Sequence, residues 1–333
     1  MNNLIFPGTI AVMGGGSWAT ALAKLLLINC ESIVWYMRRD DRIADFRTLG
    51  HNPAYLTDVS FDVNRIHFTS DISEAARRAD TLLLAMPSPY FLDHVDKIDC
   101  DLADKFIVSA IKGMVPECNE LVTGYMTRRF DVPDDHTLVI GGPCHAEEVA
   151  LDRPAYLTIG SNLSYADTFA RCIASNRMHT ICSTDVDGIE YASVLKNIYA
   201  IAAGIVHGNK TGDNFTAVLV SNAVREMKRF LNAISAADRD VDDSVYLGDL
   251  LVTAYSRFSR NHNFGSMIGR GYSVRNARCE MDQTAEGYYG TRCIYEINSR
   301  LGVDMPILDN IYNILYRGWQ PYKALQAMAQ SFT

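Results

Sequence analysis

Apolar residues follow two different rhythms along this chain. Up to about residue 183, short apolar runs alternate with longer stretches of helical character. Residues 9–13 form a short apolar run ending in glycine, and residues 18–29 follow with helical content and no breaker. Further runs lie at 32–36, 66–69, 81–85, 106–109 and 138–141, several of them apolar throughout. Uninterrupted apolarity over four or five residues is what a strand buried on both faces requires. A helix is expected between such runs, for example over 117–129. The alternation predicts a doubly wound parallel sheet, an α/β domain.

From Asp185 onward the apolar positions recur near a helical period. The clearest helices are predicted over 185–206, 214–234 and 285–301, and no strand period is visible there. The chain therefore reads as an α/β domain over 1–183 followed by an all-helical domain over 184–333.

Composition narrows the choice of function. A length of 333 residues suits two domains, and 48% hydrophobic with 21% charged residues is a globular balance. The net charge is -8 and no Lys/Arg run exceeds two residues, which argues against a nucleic-acid surface. A phosphate site must then be built locally, from a few cations or helix N-termini. The eight cysteines are scattered, with no Cys-x-x-Cys pair, so no metal site is predicted and reduced thiols in a cytoplasmic protein are expected. Residues 1–23 lack charge, but a signal peptide needs a basic start, and Pro7 and Gly14 to Gly16 would break a membrane helix. No other stretch is expected to approach a membrane span.

The first apolar run leads into Met13-Gly14-Gly15-Gly16-Ser17-Trp18-Ala19, a strand–turn–helix context that matches a dinucleotide fingerprint. Gly14 permits the tight turn, Gly16 lets the backbone approach a diphosphate, and Ala19 still allows close packing in the third position. This makes the first domain Rossmann-type. After the second run come Arg38 and Arg39, which suit a 2′-phosphate and favour NADPH, and Asp40, which would serve NAD in a shifted register.

A second signal lies in the first long helix of the other half. Between Tyr191 and Val206 the only charge is Lys196. A lysine in an apolar helix is costly unless it snorkels to water or is functional. If buried, desolvation lowers its pKa toward neutrality and equips it for general acid–base work.

Ten pieces, in order, resemble bacterial NAD(P)-dependent glycerol-3-phosphate dehydrogenase. They are the glycine turn through Ala23, Asn52-Pro53-Ala54-Tyr55-Leu56, Pro87-Ser88, Ile111-Lys112-Gly113-Met114, Gly141-Gly142-Pro143-Cys144-His145-Ala146, Lys196-Asn197, Leu247-Gly248-Asp249-Leu250, Ser259-Arg260-Asn261, Glu286-Gly287-Tyr288 and Gly302-Val303-Asp304-Met305-Pro306. The resemblance implies cofactor contacts at Ser17, Trp18, Arg38, Lys112, Ala146, Arg260, Thr284 and Glu286. It implies substrate contacts at Lys112, Gly142, Cys144, Asp249, Ser259, Arg260 and Asn261, and a catalytic proton donor and acceptor at Lys196.

The implied reaction interconverts dihydroxyacetone phosphate and sn-glycerol 3-phosphate with NADP or NAD, in the cytoplasm, supplying phospholipid synthesis. A homodimer is left open. Cys144 departs from the usual Ser or Thr, and Ser221-Asn222-Ala223 from the family's Thr-Arg-Gly. The competing readings are another two-domain dehydrogenase, of hydroxyacid or ketopantoate type, and a non-catalytic NADPH-binding sensor.

Overall fold

A computed structural model describes residues 6–256, 258–281 and 283–332. The chain forms two compact units. One holds the residues up to Ile111 together with Leu121–Val186. The other holds Lys112–Glu120 together with the residues from Asp187 on.

The first unit is built on a sheet of eight strands: β1 (Ile10–Met13), β2 (Ile33–Tyr36), β3 (Ile66–Thr69), β4 (Thr81–Leu84), β5 (Phe106–Ser109), β6 (Thr137–Gly141), β7 (Ala155–Gly160) and β8 (Met178–Ser183). Their order is β3-β2-β1-β4-β5-β6-β7-β8. Its helices are α1 (Ser17–Asn29), α2 (Asp40–Leu49), α3 (Ile72–Arg78), α4 (Phe91–Val95), α5 (Val122–Phe130), α6 (Ala146–Ala150) and α7 (Leu163–Ile173). Every residue of β1, β2, β4, β5 and β6 is buried, so both faces are covered, as the continuous apolar runs require. Trp35 anchors this core against Phe46 and Phe68, with ring centroids 5.2 and 5.8 Å away.

Two features depart from the sequence expectation. The sheet is mixed rather than wholly parallel, because β7 runs antiparallel to β6. Neither β7 nor β8 was anticipated. β8 lies at the sheet edge and is only partly covered, so polar residues interrupt its apolar rhythm. The helix expected over 117–129 begins only at Val122, because Asn119 is left-handed (φ 58°) and Val115 bridges Glu120 in a turn.

The second unit is helical, with no strand among the described residues. Its helices are α8 (Val186–Gly208), α9 (Asp213–Ile234), α10 (Asp249–Tyr255), α11 (Arg260–Gly269), α12 (Val274–Glu280), α13 (Glu286–Leu301), α14 (Pro306–Arg317) and α15 (Pro321–Ser331). One expectation is corrected here: α8 is long and apolar enough to span a membrane. However, 94% of its most apolar window is buried, so it is the core helix of this unit.

Glycines set the contact between α8 and α11. A Cβ on Gly204 or Gly208 would overlap the carbonyl oxygens of His262 and Ser266. A Cβ on Gly265 or Gly269 would overlap those of Ile201 and Ile205. Each helix thus presents a glycine pair at i, i+4 to the other's backbone, closer than any side chain allows. That contact seats the start of α11, which carries Arg260 and Asn261, against the helix that carries Lys196.

Candidate active site

In the first unit the site begins where β1 gives way to α1. Gly14 adopts φ 138°, and a Cβ there would lie 2.7 Å from the Ala85 carbonyl oxygen at the end of β4. Its N–H donates to the Tyr36 carbonyl (3.1 Å), and its own carbonyl accepts from Trp35 Nε1 (2.7 Å). The turn is thus wedged between β2 and β4, at the point where strand order reverses and open α/β sheets bind ligands. At Gly16, by contrast, nothing lies within 4 Å of where a Cβ would project. That open cradle, with the amide dipoles of the α1 N-terminus and no acidic residue in its first turn, fits a nucleotide diphosphate.

The turn is further tied by Asn52, which is 1% exposed. Its Nδ2 donates to the Gly15 carbonyl (3.2 Å) and to Thr20 Oγ1 (2.8 Å), and its Oδ1 accepts from the Ala54 and Tyr55 N–H groups. Trp18 Nε1 donates to the Ala110 carbonyl (3.1 Å), which holds the start of α1 to the end of β5.

Beyond β2, Arg39 pairs with Asp41, and Asp40 opens α2. The Arg38 charge acts on a buried couple, Tyr36 Oη and His94 Nδ1 at 2.8 Å. Burial pushes the Tyr36 phenol up and the His94 imidazole down. The Arg38 charge opposes the first and reinforces the second. Gly142 follows β6 with φ 117°, and a Cβ there would come within 2.9 Å of the Tyr156 carbonyl oxygen. Cys144 and Ala146, the first residue of α6, are buried beyond it.

In the second unit, Lys196 Nζ donates to Asp249 Oδ1 at 2.5 Å, with side chains only 4% and 2% exposed. Burial pushes the Lys196 ammonium down to about 7. The Asp249 charge works against that shift and the neighbouring Lys112 charge adds to it. The sequence alternative of a snorkelling lysine is thereby excluded. Thr253 Oγ1, one turn along α10, donates to the Asp249 carbonyl (2.6 Å) and sits 3.5 Å from Oδ1. Asn197 Nδ2 donates to the Lys112 carbonyl (2.7 Å), fixing the segment that carries the second lysine.

Ser259 caps α11, its Oγ accepting the His262 N–H at 3.2 Å, and Arg260 is the first residue of that helix. Asn261 Oδ1 accepts the Gly287 N–H at 2.9 Å, joining α11 to the start of α13. Glu286 opens α13, and Thr284 precedes it.

The residues singled out in the sequence therefore gather in two sets. Gly14, Gly16, Ser17, Trp18, Arg38, Gly142, Cys144 and Ala146 lie in the first unit. Lys112, Lys196, Asp249, Ser259, Arg260, Asn261, Thr284 and Glu286 lie in the second. Asn52, Asn197 and Thr253 were not given a role from sequence. A buried asparagine or threonine leaves no periodic signal, and only proximity to the glycine turn, Lys112 and Asp249 reveals what each one holds.

Taken alone, this fold and these residues describe a two-domain nicotinamide-nucleotide dehydrogenase. The family model described as NAD-dependent glycerol-3-phosphate dehydrogenase N-terminus matches residues 9–166, and the corresponding C-terminus model matches 185–326. A glycerol-3-phosphate dehydrogenase [NAD(P)+] of Streptococcus pneumoniae (strain CGSP14) is 32% identical over 315 residues, covering 93% of this chain and 92% of that one. A crystal structure of glycerol-3-phosphate dehydrogenase from Coxiella burnetii superposes with TM-score 0.88 at 26% identity, covering 98% of this chain and 99% of that one. A 2-dehydropantoate 2-reductase from Methylococcus capsulatus covers 92% and 95%, but at TM-score 0.57 and 12% identity it shares the fold alone. The chain belongs to the NAD-dependent glycerol-3-phosphate dehydrogenase family and is an NAD(P)-dependent oxidoreductase.

Proposed function

We propose that this chain interconverts dihydroxyacetone phosphate and sn-glycerol 3-phosphate, with Lys196 as the group that gives and takes the proton. The observation that carries this reading is the buried Lys196–Asp249 pair at 2.5 Å, whose ammonium is held at about 7. A lysine near neutrality is protonated often enough to donate and deprotonated often enough to accept. When bound, NAD(P)H supplies the hydride, delivered to the substrate carbonyl carbon.

Lys196 protonates the oxygen that becomes the hydroxyl, and in the reverse direction removes that proton. Asp249, steadied by Thr253, aims the ammonium and raises its proton affinity against burial. Lys112 contributes positive potential at the same oxygen. Arg260 and Asn261 bind the phosphate, Arg260 by paired N–H donors. Ser259 shapes that pocket by starting α11, while Gly142 and Cys144 complete the substrate contacts. The amide groups of the α1 N-terminus at Gly16, Ser17 and Trp18 hold the cofactor diphosphate, on the turn that Gly14 shapes. Ala146, Thr284 and Glu286 add cofactor contacts.

The test is consumption of NADPH or NADH with dihydroxyacetone phosphate, run beside ketopantoate and 3-ketoacyl substrates. Faster turnover of either rival would overturn the assignment. The pH dependence has a definite sign. Reduction needs the ammonium, so its kcat falls as pH rises through about 7, whereas oxidation of glycerol 3-phosphate needs the neutral amine, so its kcat rises across the same range. Parallel profiles in the two directions would remove Lys196 from the proton transfer.

Two binding predictions accompany these. Arg38→Ala weakens NADPH by roughly 10-fold or more, the worth of a charged hydrogen bond, and weakens NADH far less. Fluorescence titration of both cofactors reads this directly. Arg260→Ala raises KM for dihydroxyacetone phosphate by roughly 10- to 100-fold with a smaller change in kcat. Steady-state kinetics at saturating cofactor separates the two effects. The reading extends to a cytoplasmic enzyme supplying glycerol 3-phosphate for phospholipid synthesis, and to a homodimer, which light scattering on a sizing column would reveal.

A further inference from the structure

The proposed reaction draws on one of the chain's cysteines, Cys144, while two others meet on the first unit away from that turn. Cys30 is the residue at which α1 ends, and its N–H still donates to the Leu26 carbonyl. Cys172 lies in the last turn of α7, and its thiol faces the Thr168 carbonyl at 3.5 Å. The two side chains lie within interaction range of each other.

Side-chain hydrogen bonds to backbone carbonyls order the end of α1 and tie it to the end of α7. Asn29 Nδ2 donates to the carbonyls of Cys172 (3.1 Å) and Ala174 (2.8 Å), binding the end of α1 to the end of α7. Arg65 places its guanidinium over the α1 C-terminus. Its Nη2 donates to the Leu27 and Cys30 carbonyls (2.7 and 2.6 Å), and its Nε to the Glu31 carbonyl (2.8 Å).

The negative end of a helix normally disfavours a thiolate. Here a fixed cation occupies that end, and the two thiols are half-buried, so a small oxidant can reach them. The hydrogen bond with Cys172 and then the Arg65 charge hold the Cys30 thiol down, against the effect of burial. Cys172 is pushed the other way, chiefly by Cys30. The Arg65 guanidinium, bonded to the Cys30 carbonyl, favours a thiolate at Cys30, which makes Cys30 the attacking cysteine and its neighbour Cys172 the resolving one.

We propose that Cys30 and Cys172 form a peroxide-responsive dithiol that closes to a reversible disulfide between α1 and α7. The Cys30 thiolate attacks a peroxide oxygen. The O–O bond breaks, a sulfenic acid forms on Cys30, and the hydroxide released takes up the proton that Cys30 gave off. The Cys172 sulfur then attacks Cys30. The S–S bond forms, the S–O bond breaks, and the oxygen leaves as water with the Cys172 proton. Two thiols lose two electrons and two protons, and one hydrogen peroxide becomes two waters.

The test treats the reduced, full-length protein with hydrogen peroxide, then alkylates it under denaturing conditions and maps the peptides. The expected result is a Cys30–Cys172 disulfide within one chain, reopened by dithiothreitol, and a raised Tm in the oxidised form. In Cys172→Ser, Cys30 should stop at a sulfenic acid that dimedone traps. In Cys30→Ser, Cys172 should remain a thiol. Oxidation confined to the exposed Cys279, pairing of either residue with Cys182, or Cys30 left unmodified in Cys172→Ser would each overturn the proposal.

Discussion

Lys196→Ala should lower turnover in both directions by at least about 100-fold, because a positioned acid–base group typically supplies 10²–10⁴. NADPH affinity should stay within about threefold, since the glycine turn and Arg38 belong to the other unit. The loss should sit in kcat. The side chain removed is 4% exposed and spans the gap to Asp249, so its removal leaves a hole lined by a carboxylate, Thr253 and the Lys112 segment. A small primary alkylammonium ion fits such a hole, and rescue by methylamine with a pH optimum set by the added amine is the expected companion result. Near-wild-type turnover in Lys196→Ala would assign the proton to another group, with Lys112 the next to examine.

The second large effect concerns packing, not chemistry. Gly265→Ala should destabilise the protein by roughly 2–3 kcal/mol, near the upper end of overpacking costs, because the new methyl meets a backbone carbonyl, not a yielding side chain. The only relief is separation of α8 and α11, which carries Arg260 and Asn261 away from Lys196, so kcat/KM should fall even at temperatures where the variant is fully folded. Gly124→Ala is the matched control. It lies in α5, is exposed, and has nothing within 4 Å of the added carbon. Helix propensity alone should make it neutral or stabilising by up to about 1 kcal/mol. Thermal unfolding of the two variants side by side checks the contrast, and equal Tm values would show that the glycine contact can open without cost.

Much of this was legible beforehand because the relevant signals are local. The glycine turn needs only a strand before it and a helix after it, and both are written in neighbouring residues. Lys196 stands out because charge is absent around it. Long helices such as α9 and α13 begin and end within a residue or two of their apolar period.

What the sequence conceals depends on contacts distant along the chain. The i, i+4 spacing of Gly204 with Gly208, and of Gly265 with Gly269, is visible, but nothing local says that the two pairs face each other. Asn52 reads as a turn residue before a proline, yet it spends its amide on Gly15, 37 positions away. The strands β7 and β8 carry Tyr156, His179 and Ile181 facing outward, which masks their character.

The segment Lys112–Glu120 has a consequence for how the protein can be divided. It is encoded inside the first half of the chain but is built into the second unit, where its carbonyls receive Asn197 at Lys112 and Arg292 at Pro116, and Asn119 reaches Glu296. A cut near residue 183 would separate nine residues from everything that orders them. The carboxy-terminal fragment would lack Lys112, one of the two lysines of the candidate site, and the amino-terminal fragment would trail a loop with no bed to lie in. During synthesis the same wiring means that Lys112 leaves the ribosome long before the helices that receive its segment, so this centre cannot close until they have been made.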